Sequence, residues 1–178
     1  MEARIHSFIN GPRGISLISV FGYTTKGIPG IEIHGMNKTA KVLREKIIYL
    51  TKIRELSVPK RRYVICLDIN DLCKDENLRD LKSLELPAIL LYWYLAGLIP
   101  ISKLDDCLCQ GYINTRGEVY QSRYDEETIK AIKDQLGIKA FKQLKVIGSD
   151  QNPSFDSFQI QTSDLLEHIP KITCFLDR

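Results

Sequence analysis

From Leu86 to Leu98 the chain reads L-P-A-I-L-L-Y-W-Y-L-A-G-L, with no charged residue anywhere in the run. Pro87 suits the first turn of a helix and Gly97 falls just past the end of one, which predicts a helix through Ala96. Such a helix is apolar almost all round and has no face to offer water. At least part of it must therefore be wrapped by the rest of the protein. The run is too short to span a bilayer and is interrupted by Pro87 and Gly97, so no membrane anchor is read here. The chain needs a fold that encloses a central helix.

The flanking segments supply the enclosure. Ile15 to Tyr23 is rich in β-branched and aromatic residues and reads as a strand. Gly27-Ile28-Pro29-Gly30 supplies a turn, and Ile31 to His34 alternates apolar and polar, as a hairpin partner of that strand would. Asn37 is placed to cap a helix in which Ala40, Leu43, Ile47, Leu50 and Ile53 form one buried stripe, ended by Ser57-Val58-Pro59. Tyr63 to Leu67 is nearly all apolar and suits a strand covered on both faces. Asp68 to Ser83 reads as a polar loop with a short helix. Cys107 to Ile113 and Glu118 to Gln121 flank Asn114-Thr115-Arg116-Gly117, a second hairpin signal. Asp125 to Leu136 is an amphipathic helix stopped by Gly137. Short strands follow at Leu144 to Ile147 and Phe158 to Ile160, around a loop from Gly148 to Ser157. Thr162 or Ser163 can cap a last helix through His168. The expectation is α+β, one domain over residues 1–178, without repeats or linkers.

Composition narrows the class. A chain of 178 residues with 44% hydrophobic and 26% charged residues is typical of a globular protein with a sizeable core. Its net charge of +3 is unevenly spread. Lys38, Lys41, Arg44, Lys46, Lys52, Arg54, Lys60, Arg61 and Arg62 stand against Glu45 and Glu55, so residues 38–62 carry +7 and the remainder −4. That asymmetry hints at an anionic partner. Met1 to Asn10 has no sustained apolar run, so no secretory signal is read. Five cysteines at irregular spacing argue against a disulfide framework, and the expected compartment is the reducing cytoplasm. Cys107 and Cys109 share one side of a strand-like run. No second Cys or His pair is nearby, so they are read as small core residues and no metal site is expected.

Several short motifs occur in a telling order: Met1-Glu2-Ala3-Arg4-Ile5-His6-Ser7, G-I-P-G-I-E-I-H-G from Gly27 to Gly35, Pro59-Lys60-Arg61-Arg62, Asp71-Leu72-Cys73-Lys74, Leu86-Pro87-Ala88-Ile89, Gly97-Leu98-Ile99-Pro100, and Gly111-Tyr112-Ile113 through Gly117-Glu118-Val119. Together they resemble the N-terminal domain of the Mg-chelatase-related ComM/YifB family. The resemblance covers nearly all of the chain. It implies a Lon-protease-like fold, shared with a ribosomal-protein second domain, in which a mixed sheet packs against helices. It also implies relatives that form rings, stack on an AAA+ ATPase module and act on DNA. The phosphate loop G-x-x-x-x-G-K-[ST] occurs nowhere in this chain, so no ATPase domain or nucleotide cofactor is expected. The family continues into its motor where this chain ends at Arg178, so a motor acting in trans is one expected partner.

The same resemblance poses a peptidase question. A Lon-type serine needs a lysine within hydrogen-bond reach, and the corresponding positions hold Ser83 and Gln121-Ser122-Arg123-Tyr124. Arginine does not deprotonate to serve as a base. Ser83 also lacks small flanking residues, so it reads as a turn residue and no catalytic residue is assigned. His6, His34 and His168 are isolated from any nucleophile or carboxylate pairing readable in the sequence. Asp68, Asp71, Asp75 and Glu76 lack the central glycine and terminal glutamate of a calcium loop and read as solvated.

What remains is binding. Lys60, Arg61 and Arg62 are adjacent cations at the edge of a buried strand, and phosphates or carboxylates opposite them would relieve their repulsion. With Lys41 and Lys52 they form the candidate nucleic-acid-binding set. No aromatic besides Tyr63 lies near them in sequence, so base stacking is not expected. The expected function is thus a non-catalytic, stand-alone Lon-like domain that oligomerises or docks on DNA or a nucleic-acid-handling ATPase. The alternatives are a remnant peptidase built on Ser83 and a truncated, non-functional copy.

Overall fold

The computed structural model describes residues 1–11, 14–36, 38–69, 80–121, 124–148 and 159–161. The chain opens with a long antiparallel pair. β1 (Glu2–Gly11) lies against β2 (Gly14–Thr25) in an unbroken register from Glu2 opposite Tyr23 to Gly11 opposite Gly14. β3 (Gly30–His34) then leads into α1 (Thr39–Ile53), which returns the chain to β4 (Arg62–Asp68). A 3-10 turn at Asp80–Leu84 feeds α2 (Glu85–Leu95). β5 (Cys107–Cys109) and the small hairpin of β6 (Tyr112–Ile113) and β7 (Val119–Tyr120) follow. The described chain closes with α3 (Glu126–Leu136), α4 (Ile138–Lys142), β8 (Lys145–Gly148) and β9 (Gln159–Gln161).

Among the described residues, seven strands form one sheet in the order β3-β4-β2-β1-β5-β8-β9. The pairs β1–β2 and β2–β4 are antiparallel, and β3–β4, β1–β5, β5–β8 and β8–β9 are parallel. The fold is therefore α+β around a mixed sheet. Ile31 to His34 does form a strand, but not the expected hairpin partner of β2. It pairs in parallel with β4, because α1 is long enough to carry the chain back to the same end of the sheet. The edge of β2 is instead taken by β1, a strand whose apolar pattern Glu2, Arg4 and His6 interrupt in the sequence.

Residues alternate across the sheet, so each strand serves two faces. On the inner face Ile5, Ile18, Val20, Ile31, Tyr63, Ile65, Cys107 and Cys109 pack with Leu43, Ile47 and Leu50 of α1 and with α2. α2 is the central helix: each of its eleven residues except Tyr94 is buried. The strand beneath it gives way at Gly22. A Cβ there would lie 2.6 Å from the Val64 carbonyl oxygen and 3.2 Å from a Leu95 methyl. Glycine is what lets the helix sit that close. Gly97 ends the helix with φ +74°, the left-handed geometry that favours glycine.

Among the described residues, the outer face is covered only in part. Phe8, Leu108, Tyr124, Ile132, Leu144 and Val146 form a second cluster in which α3 closes over β1, β5 and β8. Gln135 fastens α3 to β2 by donating to the Ile15 carbonyl and accepting from the Leu17 N–H, both at 2.8 Å. Asp125 caps α3 by accepting from Thr128 N–H, and Gly137 ends it.

Two details depart from the expected pattern. The α1 stripe runs through Thr51, whose hydroxyl donates to the Ile47 carbonyl, while Ile53 is 40% exposed at the C-terminal end. Cys107 to Ile113 is not one hairpin arm, since β5 joins the main sheet and only β6 pairs with β7. The Asn37 cap, most of the acidic loop, the loop after Gly148 and the helix through His168 lie outside the described residues.

Candidate polyanion-binding edge

The turn from β2 to β3 and the approach to β4 meet at one end of the sheet. Thr25 pairs with Arg62, Gly30 also pairs with Arg62, and the Gly30 N–H donates to the Arg61 carbonyl at 3.2 Å. This register sets Lys60 and Arg61 beside Thr24, Thr25, Lys26 and Gly27, around a shallow cleft of about 560 Å³. Lys60 and Arg61 are exposed, and no described carboxylate is within ion-pair distance of them or of Lys26. Three cations converge there with no counter-charge among the described residues. Lys26 was not in the candidate set, because its closeness to Lys60 exists only through strand pairing.

The other candidates are dispersed. Arg62 is held in a two-pronged bond with Glu32: Nε to Oε1 and an Nη to Oε2, both at 2.7 Å. That bond holds the Glu32 carboxyl below its usual range and the guanidinium above its own. Arg62 is thus already partnered, in a geometry that suits its planar fork. His34 stands 3.9 Å from the same carboxylate. Lys41 and Lys52 are both exposed, but Lys41 sits in the first turn of α1 and Lys52 in the last. At 1.5 Å of rise per residue they are roughly 16 Å apart along the helix. Because α1 runs from the end of β3 back to the start of β4, only Lys52 lies toward the Arg61 end.

Tyr63 faces away from this edge. Its ring is buried, packs edge-on against Tyr92 at 5.0 Å, and its hydroxyl donates to the Pro59 carbonyl. The exposed aromatics of this region are Phe21 and Tyr23 on the outer face of β2. Alternation along Val20-Phe21-Gly22-Tyr23 was the signal that could have found them.

The peptidase geometry is not assembled around described groups. Ser83 lies half-buried in the 3-10 turn, and its carbonyl accepts the Gly111 N–H at 2.6 Å. Lys82 places its ammonium 4.1 Å from the centre of the Tyr112 ring, and Lys46 is committed to the Glu85 carboxylate. Arg123 lies outside the described residues. Cys107 and Cys109 are buried core residues, and burial pushes the Cys107 thiol up to about 12. Burial thus favours the neutral thiol, which is a weaker nucleophile than the thiolate.

His6 lies on the outer side of β1, where burial and then the neighbouring Arg4 guanidinium lower its pKa from the usual 6.5. The unfolded chain therefore binds a proton at His6 more readily than the folded one does. Folding stability is expected to fall as pH drops below about 6.5 toward the lowered folded value, and His6→Gln should flatten that part of the profile. Denaturation midpoints measured from pH 7.5 to 5 check this; an unchanged profile in the variant would exclude His6 as its source.

No family model matches this chain, and no curated protein matches it at a significant level.

Proposed function

We propose that this chain is a non-catalytic, Lon-like domain of the ComM/YifB type that works by docking, with the Lys26–Lys60–Arg61 edge as its contact for a nucleic acid or a similar phosphate-rich partner. The ordered motifs of the sequence carry the family reading. The observation that carries the binding reading is the meeting of three cations, with no carboxylate partner among the described residues, in one shallow cleft. Like charges gathered together repel each other, and phosphate oxygens placed opposite them relieve that repulsion. The side chains are two lysines and one arginine in the segments that flank the strands. The contact they offer is to backbone phosphate and carries no base specificity.

A labelled oligonucleotide titrated into the protein tests this reading. Three phosphate contacts give a salt slope of about −2 to −2.7, so affinity is expected to fall roughly 15- to 40-fold between about 50 and 200 mM salt. Lys60→Glu with Arg61→Glu should weaken binding at least about tenfold at low salt, whereas Lys41→Glu, at the far end of α1, should have little effect. Salt-independent binding, or equal effects of both changes, would remove the edge from consideration.

A further inference from the structure

The uncovered part of the outer sheet face carries a second cleft, of about 690 Å³, with a different chemistry. Phe21 and Tyr23, two residues apart on β2 and so on the same side, stand 39% and 42% exposed within it. Glu2 lies opposite Tyr23 and Arg4 opposite Phe21 on β1, while Asp68 lies opposite Ser19 on β4. Asp105 closes one end, accepting the Arg4 backbone N–H at 2.9 Å. Three carboxylates against one guanidinium leave the cleft at −2, beside an edge that carries three cations.

A phosphate backbone that suits the edge is repelled by this cleft, and a purely apolar partner would strand its carboxylates. A cationic side chain answers both the carboxylates and the rings, since it is attracted to an aromatic face as well as to an anion. We infer that the open sheet face is a docking surface for a basic segment of a protein partner, with a lysine or arginine side chain laid against Phe21 and Tyr23 and reaching Glu2 or Asp68. The chain as a whole carries +3, so general attraction does not draw a polycation to it; the attraction is local to this cleft. The inference does not rest on the polyanion reading, which uses other residues of opposite sign.

The test is titration of a fluorescent oligo-arginine peptide into the full chain at low salt, followed by anisotropy, with oligo-glutamate as the control of sign. Oligo-arginine is expected to bind, and labelled oligo-glutamate, titrated separately, to show no dependence on Phe21 or Tyr23. Phe21→Ala with Tyr23→Ala should weaken binding roughly fivefold to thirtyfold, and Tyr23→Phe should retain it. Glu2→Gln with Asp68→Asn should weaken it too, with circular dichroism confirming that every variant is folded. Failure of oligo-arginine to bind, or affinity unchanged by the ring or the carboxylate variants, would overturn the inference. So would oligo-dT binding that is lost in the ring variant but survives Lys60→Glu with Arg61→Glu, which would give the face to stacked bases. A self-association in sedimentation that the ring variant abolishes would overturn it in favour of a second copy of the chain.

Discussion

Glu85→Ala is expected to destabilise the folded chain by about 3 kcal/mol, while Lys46→Met combined with Glu85→Leu is expected to cost far less. Glu85 opens α2 and Lys46 projects from α1; their side chains are only 11% and 15% exposed, and the ammonium donates directly to the carboxylate. Removing one partner strands the other charge between two packed helices, which is where the penalty arises. Replacing both by apolar groups of similar size removes the charge and the penalty together. The small exposure of both groups places the single change at the lower end of the range for buried pairs. A modest loss should persist in the double variant, because Glu85 also faces the positive end of α2. Urea denaturation followed by far-ultraviolet circular dichroism separates the two. Equal losses in the single and double variants would show that shape, and not charge, holds this joint.

Trp93→Ala is expected to cost about 4 kcal/mol. Trp93 is fully buried in α2, donates from Nε1 to the Thr51 hydroxyl at 3.4 Å, and lies beneath the Arg54 guanidinium at 5.9 Å. Truncation removes the largest side chain of the core and leaves a cavity that helices on one side and strands on the other cannot close. Thr51 still has the Ile47 carbonyl to bond, so the lost hydrogen bond adds little to the loss. Trp93→Phe should cost clearly less, since the ring volume largely remains. Trp93 is the sole tryptophan, so the comparison needs circular dichroism and not intrinsic fluorescence. A loss under about 2 kcal/mol would mean that the helix can settle into the space.

These two sites also show what could be read from the residues alone. The central helix was legible because a run with no charge from Leu86 to Leu98 has only one kind of place to go, and its ends are written in Pro87 and Gly97. α3 was legible from a different signal, an amphipathic period that ends at Gly137. Pairing was not. Nothing in Ile31 to His34 says whether its neighbour is β2 or β4, because alternation reports a face and not a partner. β1 was overlooked because Glu2, Arg4 and His6 interrupt its apolar positions, and those are the residues that face outward at a partly uncovered surface.

The candidate surface was read with the same mixture. Lys60 and Arg61 stood out as neighbours in sequence, but Lys26 joins them only across strands, and Lys41 and Lys52 part along a helix. Arg62 looked like its two neighbours until the fork to Glu32, thirty positions earlier, took it out of reach. Phe21 and Tyr23 were counted simply as strand formers, since exposure of one sheet face depends on where α3 stops.

The pairing of β1 with β5, with His6 opposite Leu108, has a consequence for how the protein is made. At ribosomal rates of about 5–20 residues per second, the first strand waits roughly 5–20 s before its neighbour has been synthesised. Throughout that wait its backbone donors and acceptors on that side stay open to any passing extended chain. A nascent polypeptide built this way is expected to need a shield during translation, and its yield in cells should depend on chaperone supply more than its final stability would suggest.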